Sequence, residues 1–223
     1  MSKSERYQQY VLLEYLAYKI YNLFTDYSFK VQLVKLHLED LEQKKQDYSM
    51  YAFLIEPVES MAKRNNAKEL EAKNIHPNLT DHKLMNQLAL FQYLIGNTDW
   101  SVKALHNIKL LSRDSLQKPV AVPFDFDFSG LVNATYASPA EHLPISSVRQ
   151  RHYNGYQRTF EEIKENLEIF RQNKDKIYEL VNSVEGLEKG LIDETIKYFD
   201  QFYEMIDNTK LIQHEFIDKS RKE

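Results

Sequence analysis

From Tyr10 to Phe24 the chain reads YVLLEYLAYKIYNLF, and this run restricts the possible folds more than any other. At helical period Val11, Tyr15, Tyr18 and Asn22 fall along one side, while Leu12, Leu16, Ile20 and Leu23 fall along another. A helix apolar over so much of its circumference belongs inside a protein, not on its surface. The rest of the chain must supply its cover.

Phe29, Val31, Leu33 and Lys35 then alternate with Lys30, Gln32, Val34 and Leu36, as a strand does. The polar run EDLEQKKQDYS (39–49) reads as a solvated hairpin connection. MYAFLIEPV returns as a second strand, stopped by Pro57. These pieces predict a small antiparallel sheet with one helix against it. ESMAKRNNAKELEAKN (59–74) predicts one or two short polar helices ending before Pro77, and Thr80 is a suitable N-cap for the next helix. Leu84, Leu88, Phe91 and Ile95 place that helix against a core, and Gly96 ends it. Two short strands follow, HNIKLL and VAVPFDFDF. Beyond Gly155 the pattern is helical, with one stripe of Phe160, Ile163, Leu167 and Phe170, then another running from Leu191 to Ile206. The fold class is thus α+β and mostly helical.

Composition narrows the function classes. A net charge of −4 over 223 residues supplies no basic field for nucleic acid. No apolar run approaches the ~20 residues of a membrane span, and the start MSKSERYQQY lacks the apolar core of a signal peptide. These features suit a soluble chain. With no cysteine, thiol chemistry and cysteine-held zinc are excluded, while the compartment stays open.

Against this plain background, Ile95 to Gly130 is crowded with oxygen ligands: IGNTDWSVKALHNIKLLSRDSLQKPVAVPFDFDFSG. On a strand Asp125 and Asp127 would share one face and Phe124, Phe126 and Phe128 the other. Two such carboxylates repel unless a proton or cation is shared, and hard oxygen ligands of this kind suit Mg²⁺ or Mn²⁺. Asp99 follows the helix-ending Gly96, where a rigid element would hold a general base at a cleft; the bland reading is a turn residue beside Asn97 and Thr98. Asn107 either joins a metal shell or starts a strand. Trp100 reads as packing for the loop, and His106 as a structural histidine beside the candidate ligands. Asn133, and Arg149 and Arg151 in SSVRQRHYNGY, are candidates for substrate contact, with surface ion pairing favoured for the arginines.

The order helix, Asp, loop, Asn, strand, turn, strand, Asp resembles the catalytic half of protein-kinase-like enzymes. The segment is most similar to atypical kinases of the CotH (spore-coat kinase) and HipA type, nearer to CotH. The quoted features are an Asn-x-Asp loop, here Asn97 to Asp99, with Asn107 before a strand, and the metal strand PFDFD. The phrase GNTDW…HN…PFDFDFSGLVNA is shared more closely still with a group of uncharacterised bacterial CotH-like proteins. The resemblance covers about Tyr10 to Gly155. It implies a partial N-lobe sheet plus a helical C-lobe: residues 1–58 as partial N-lobe, 59–155 as C-lobe with the catalytic and metal strands, and 156–223 as a helical extension. It implies ATP and Mg²⁺ (or Mn²⁺) as cofactors and phosphoryl transfer to an unknown acceptor. Asp99 would be the catalytic base, and Asn107, Asp125 and Asp127 the metal ligands. Glu14 would partner an ATP-binding lysine, with Phe53, Ile55 and Glu56 bordering the nucleotide.

Two departures qualify it. Asp99 and Asn107 are eight residues apart, against about five in kinases, so the loop must bulge or Asn107 must serve otherwise. The strand expected to carry the phosphate-binding lysine does not precede the Glu14 helix. Either this chain is a fragment of a longer kinase-like protein, or it is a pseudokinase acting as a binding or scaffold module.

Overall fold

The long apolar run forms α1 (Lys3–Tyr21), and the remaining elements wrap it. In the computed structural model, which describes residues 3–42, 46–113 and 116–222, Leu12, Leu16 and Ile20 are fully enclosed. Each side of α1 meets a different neighbour. Tyr15 and Tyr18 pack on Phe53 at ring distances of 6.1 and 5.6 Å, Tyr18 on Phe126 at 4.7 Å and Tyr21 on Phe91 at 4.6 Å. Gln9 ties the same helix to a distant turn: its amide donates to Gly186 O at 3.0 Å and its oxygen accepts from Glu188 N–H at 2.9 Å.

β1 (Val31–Leu38) and β2 (Tyr48–Ile55) pair antiparallel from Val31↔Ile55 to Leu38↔Tyr48, giving the expected small sheet against a helix. The middle of the 39–49 connection lies outside the described residues. Pro57 stops β2 and leads into α2 (Val58–Arg64).

The second half of the polar 59–74 segment departs from the helical expectation. Lys68–Glu69 is a short strand, β3, because its backbone completes the edge of a buried sheet: β3 pairs with β4 (Ile108–Ser112), which pairs antiparallel with β5 (Val120–Pro123). Between them runs α3 (His82–Ile95). Its cap is Asp81, whose carboxylate accepts from Leu84 N–H at 3.0 Å, one residue later than expected. Thr80 instead donates to Pro77 O at 2.6 Å, closing the preceding 3₁₀ turn. Every residue of α3 from Met85 to Ile95 is buried, and Gly96 ends it at φ +67°.

The C-terminal helices are α4 (Phe160–Gln172), α5 (Lys174–Ser183), α6 (Lys189–Ile206) and α7 (Thr209–Ile212), which runs on as a π-helical turn to Asp218. Thr159 and Glu162 form a reciprocal capping box at the start of α4. Phe170 meets Phe24 at 4.4 Å, so one apolar core runs from α1 into these helices. Among the described residues no helix is long and apolar enough to cross a membrane.

Candidate functional site

Gly96 is required where α3 ends. A Cβ there would lie 2.1 Å from Tyr198 Oη, and only glycine holds φ +67° without strain. The turn that follows is built by Asn97, whose side-chain oxygen accepts from Asp99 N–H at 2.9 Å. The long interval to Asn107 is resolved by an excursion. Ser101 and His106 exchange backbone hydrogen bonds of 2.9 and 3.0 Å, pinching residues 101–106 into a small hairpin. Leu105 and Asn107 take left-handed backbone to close it.

The hairpin returns Asn107 to Asp99. Asn107 Nδ2 donates to Asp99 O at 2.9 Å and to Oδ2 at 3.1 Å, while His106 Nε2 meets Oδ1 at 2.7 Å. Each carboxylate oxygen therefore has its own partner. Trp100 is buried beside it, as packing for the loop.

The acid pair is reached by a route that strand alternation does not describe. β5 stops at Pro123, and the last ladder bond is Phe124 N–H to Asn107 O at 3.1 Å. Asp125 has φ +60°, so the chain turns out of the strand there. The three phenylalanines accordingly part company: Phe126 is fully buried between Tyr18 and Phe91, Phe124 packs on Phe29, and Phe128 packs on Tyr136. Asp125 and Asp127 still meet. Burial raises the Asp125 carboxyl above its ordinary range, and the hydrogen-bonded neighbour Asp127 and the charge of Asp99 raise it further.

α1 supplies the opposite wall. Asp125 N–H donates to Tyr18 Oη at 2.8 Å, and Phe126 N–H donates to Glu14 Oε1 at 3.3 Å. Burial, then Asp125 and Asp127, push the Glu14 carboxyl up to about 7. Among the described residues no lysine or arginine is ion-paired with Glu14. Beyond it a cavity of about 540 Å³ opens between α1 and β2, reaching Asp127 and Tyr136.

Several sequence-based candidates lie elsewhere. Phe53 is turned inward against Tyr15 and Tyr18, Ile55 faces solvent, and Glu56 is bound to Arg64 at 2.9 Å; none of the three lines this cavity. Arg149 and Arg151 are both held by interior partners, and Arg149 also lines the cavity that Asn133 reaches. Their guanidinium carbons sit 4.2 and 3.6 Å from the Tyr198 ring centroid, and they donate to Gly130 O and to the carbonyls of Leu94 and Tyr198. The expected surface ion pairs are replaced by interior carbonyls because the Ser146–Arg151 turn folds under α6. Asn133 lines a different cavity, of about 290 Å³, together with Arg149 and beside Arg6 and Glu194.

Tyr18 and the cavity tyrosines were not marked as site residues by the sequence. The usable signal was that Tyr7, Tyr10 and Glu14 share one helical face by spacing.

Among the described residues no three His, Asp or Glu side chains converge closely enough to hold a metal alone. The donors present are nevertheless of the right kind. Asp125 and Asp127 offer hard oxygens, and Asn107, with its amide nitrogen committed to Asp99, can turn its oxygen to a cation. Mg²⁺ takes few protein ligands and completes its shell with water and phosphate, and the charge crowding at Asp125 would be relieved by it. No family model matches the chain, and neither does any curated protein or solved structure.

Proposed function

We propose that this is an atypical kinase-like domain of the CotH and HipA type, transferring a phosphoryl group from ATP in a Mg²⁺-dependent reaction. The observation that supports the reading is that Glu14 and Asp99, from separate segments, are electrostatically coupled to the Asp125–Asp127 pair, with Asn107 bonded to Asp99. Asp99 would accept the proton of the acceptor hydroxyl, with His106 and Asn107 fixing its two oxygens. Asn107, Asp125 and Asp127 would hold Mg²⁺, which supplies charge neutralisation on the phosphates. Few other groups are needed, because this chemistry rests on positioning and electrostatics.

ATP turnover with and without Mg²⁺ tests the reading. Asp99→Ala and Asp127→Ala should each lower turnover by about 10²–10⁴-fold; unchanged turnover in both overturns the assignment. That no lysine or arginine among the described residues is ion-paired with Glu14 favours one alternative, a nucleotide-binding or scaffold module without transfer. A rise in melting temperature with Mg²⁺ and ATP but no turnover selects it.

A further inference from the structure

The cavity beyond Glu14 has a composition that phosphoryl transfer does not require. Five of its ten lining residues are tyrosines: Tyr7, Tyr10, Tyr48, Tyr51 and Tyr136. Among the described residues its only charged lining residues are Glu14 and Asp127. Tyr7, Tyr10 and Tyr136 form a mutually packed wall, with Tyr7 stacked on Tyr136 at 6.0 Å and Tyr10 set edgewise to both at 5.6 and 6.0 Å. Tyr136 Oη donates to Asp127 Oδ2 at 3.0 Å, which fixes that ring and aligns the carboxylate with the wall.

We infer that this cavity binds an organic cation, an alkylammonium group held against the tyrosine faces and facing Glu14 and Asp127. Three physical arguments lead there. Aromatic faces carry negative charge density and attract a cation within about 6 Å of the ring centroid, most strongly where water is excluded. The Tyr51 ring is already met by Lys35 Nζ, 5.6 Å from its centroid, which leaves the Tyr7, Tyr10 and Tyr136 wall for a ligand. Two carboxyl groups with no basic lining residue among the described residues favour a cation, and without a divalent metal a polyphosphate has no partner in this compartment. Finally, about 540 Å³ exceeds what a small inorganic ion would fill, and the apolar stems of Val11 and Met50 suit the carbon chain of an alkylammonium.

The site shares Glu14 and Asp127 with the phosphoryl-transfer reading but needs neither nucleotide nor metal, so the two fail separately. Calorimetric titration of the full chain in EDTA, without ATP, compares choline with its uncharged isostere 3,3-dimethyl-1-butanol. Choline should bind about tenfold more tightly. Tyr7 and Tyr136 are 40% and 43% exposed, so the double substitution Tyr7→Leu with Tyr136→Leu leaves the core intact; it should weaken choline about tenfold and the isostere little. Asp127→Asn, which preserves shape, should weaken choline alone. Equal binding of the two compounds, absence of saturable choline binding, or unchanged choline affinity in the variants overturns the inference.

Discussion

The two sheets of this molecule differ in a way that locates its chemistry. β1 and β2 are eight residues each and lie largely in solvent, with Leu36, Leu38, Tyr48, Leu54 and Ile55 exposed. β4 and β5 are only five and four residues, yet Ile108, Leu110, Leu111 and all of Val120–Pro123 are buried. The longer sheet has the more regular ladder, but the short buried one fixes the site. A strand enclosed on both faces cannot tilt or slide, so the turn at its end delivers Asp125 and Asp127 to a defined place.

The strongest way to break this contrast is to empty the buried side. Phe126→Ala should cost about 3–5 kcal/mol in denaturant unfolding, because the ring is fully enclosed between α1 and α3. A cost near 1 kcal/mol would mean that the turn after β5 is not anchored as described.

Next in size is the charge beneath that turn. The folded Glu14 carboxyl holds its proton up to about 7, against an ordinary 4.5. Between those values the native state keeps a proton that the unfolded chain has lost, so stability falls as pH rises and levels off above about 7. In metal-free buffer Glu14→Gln should match the unsubstituted protein near pH 4.5 and exceed it by up to about 3 kcal/mol at pH 8. A stability difference independent of pH would refute the cause given for the shift.

Gly96→Ala should cost about 2 kcal/mol, from left-handed backbone and the clash with Tyr198 Oη. Among the described residues that hydroxyl has no hydrogen-bond partner, so adding Tyr198→Phe should recover part of the loss; failure to do so would assign the whole cost to the backbone. Smallest of all, Leu54→Ser on the exposed sheet should change stability by no more than about 0.5 kcal/mol. A larger cost would show that the outer sheet is less independent of packing than its exposure implies.

Elements that depend on local chemistry were legible in the sequence. The enclosure of α1, the β1–β2 hairpin, the end of α3 at Gly96 and the C-terminal helical stripes follow from apolar period and from backbone preferences of single residues. Asp99, Asn107 and the Asp125–Asp127 pair were legible as candidates. Their convergence was not, because it depends on a pinched hairpin at 101–106 and a left-handed turn at Asp125, which break the very alternation used to read them. Contacts across long sequence separations were beyond local spacing altogether. Arg149 and Arg151 are packed on Tyr198, and the expected capping role of Thr80 falls to Asp81, whose carboxylate also bonds Arg113 at 2.9 Å. The sequence by itself determined the long helices, the β1–β2 hairpin and the faces they bury, since those are set within one or two turns of chain. Tertiary structure alone decided which acids meet and what surrounds them, since burial and charge coupling arise only once distant segments share one low-dielectric space.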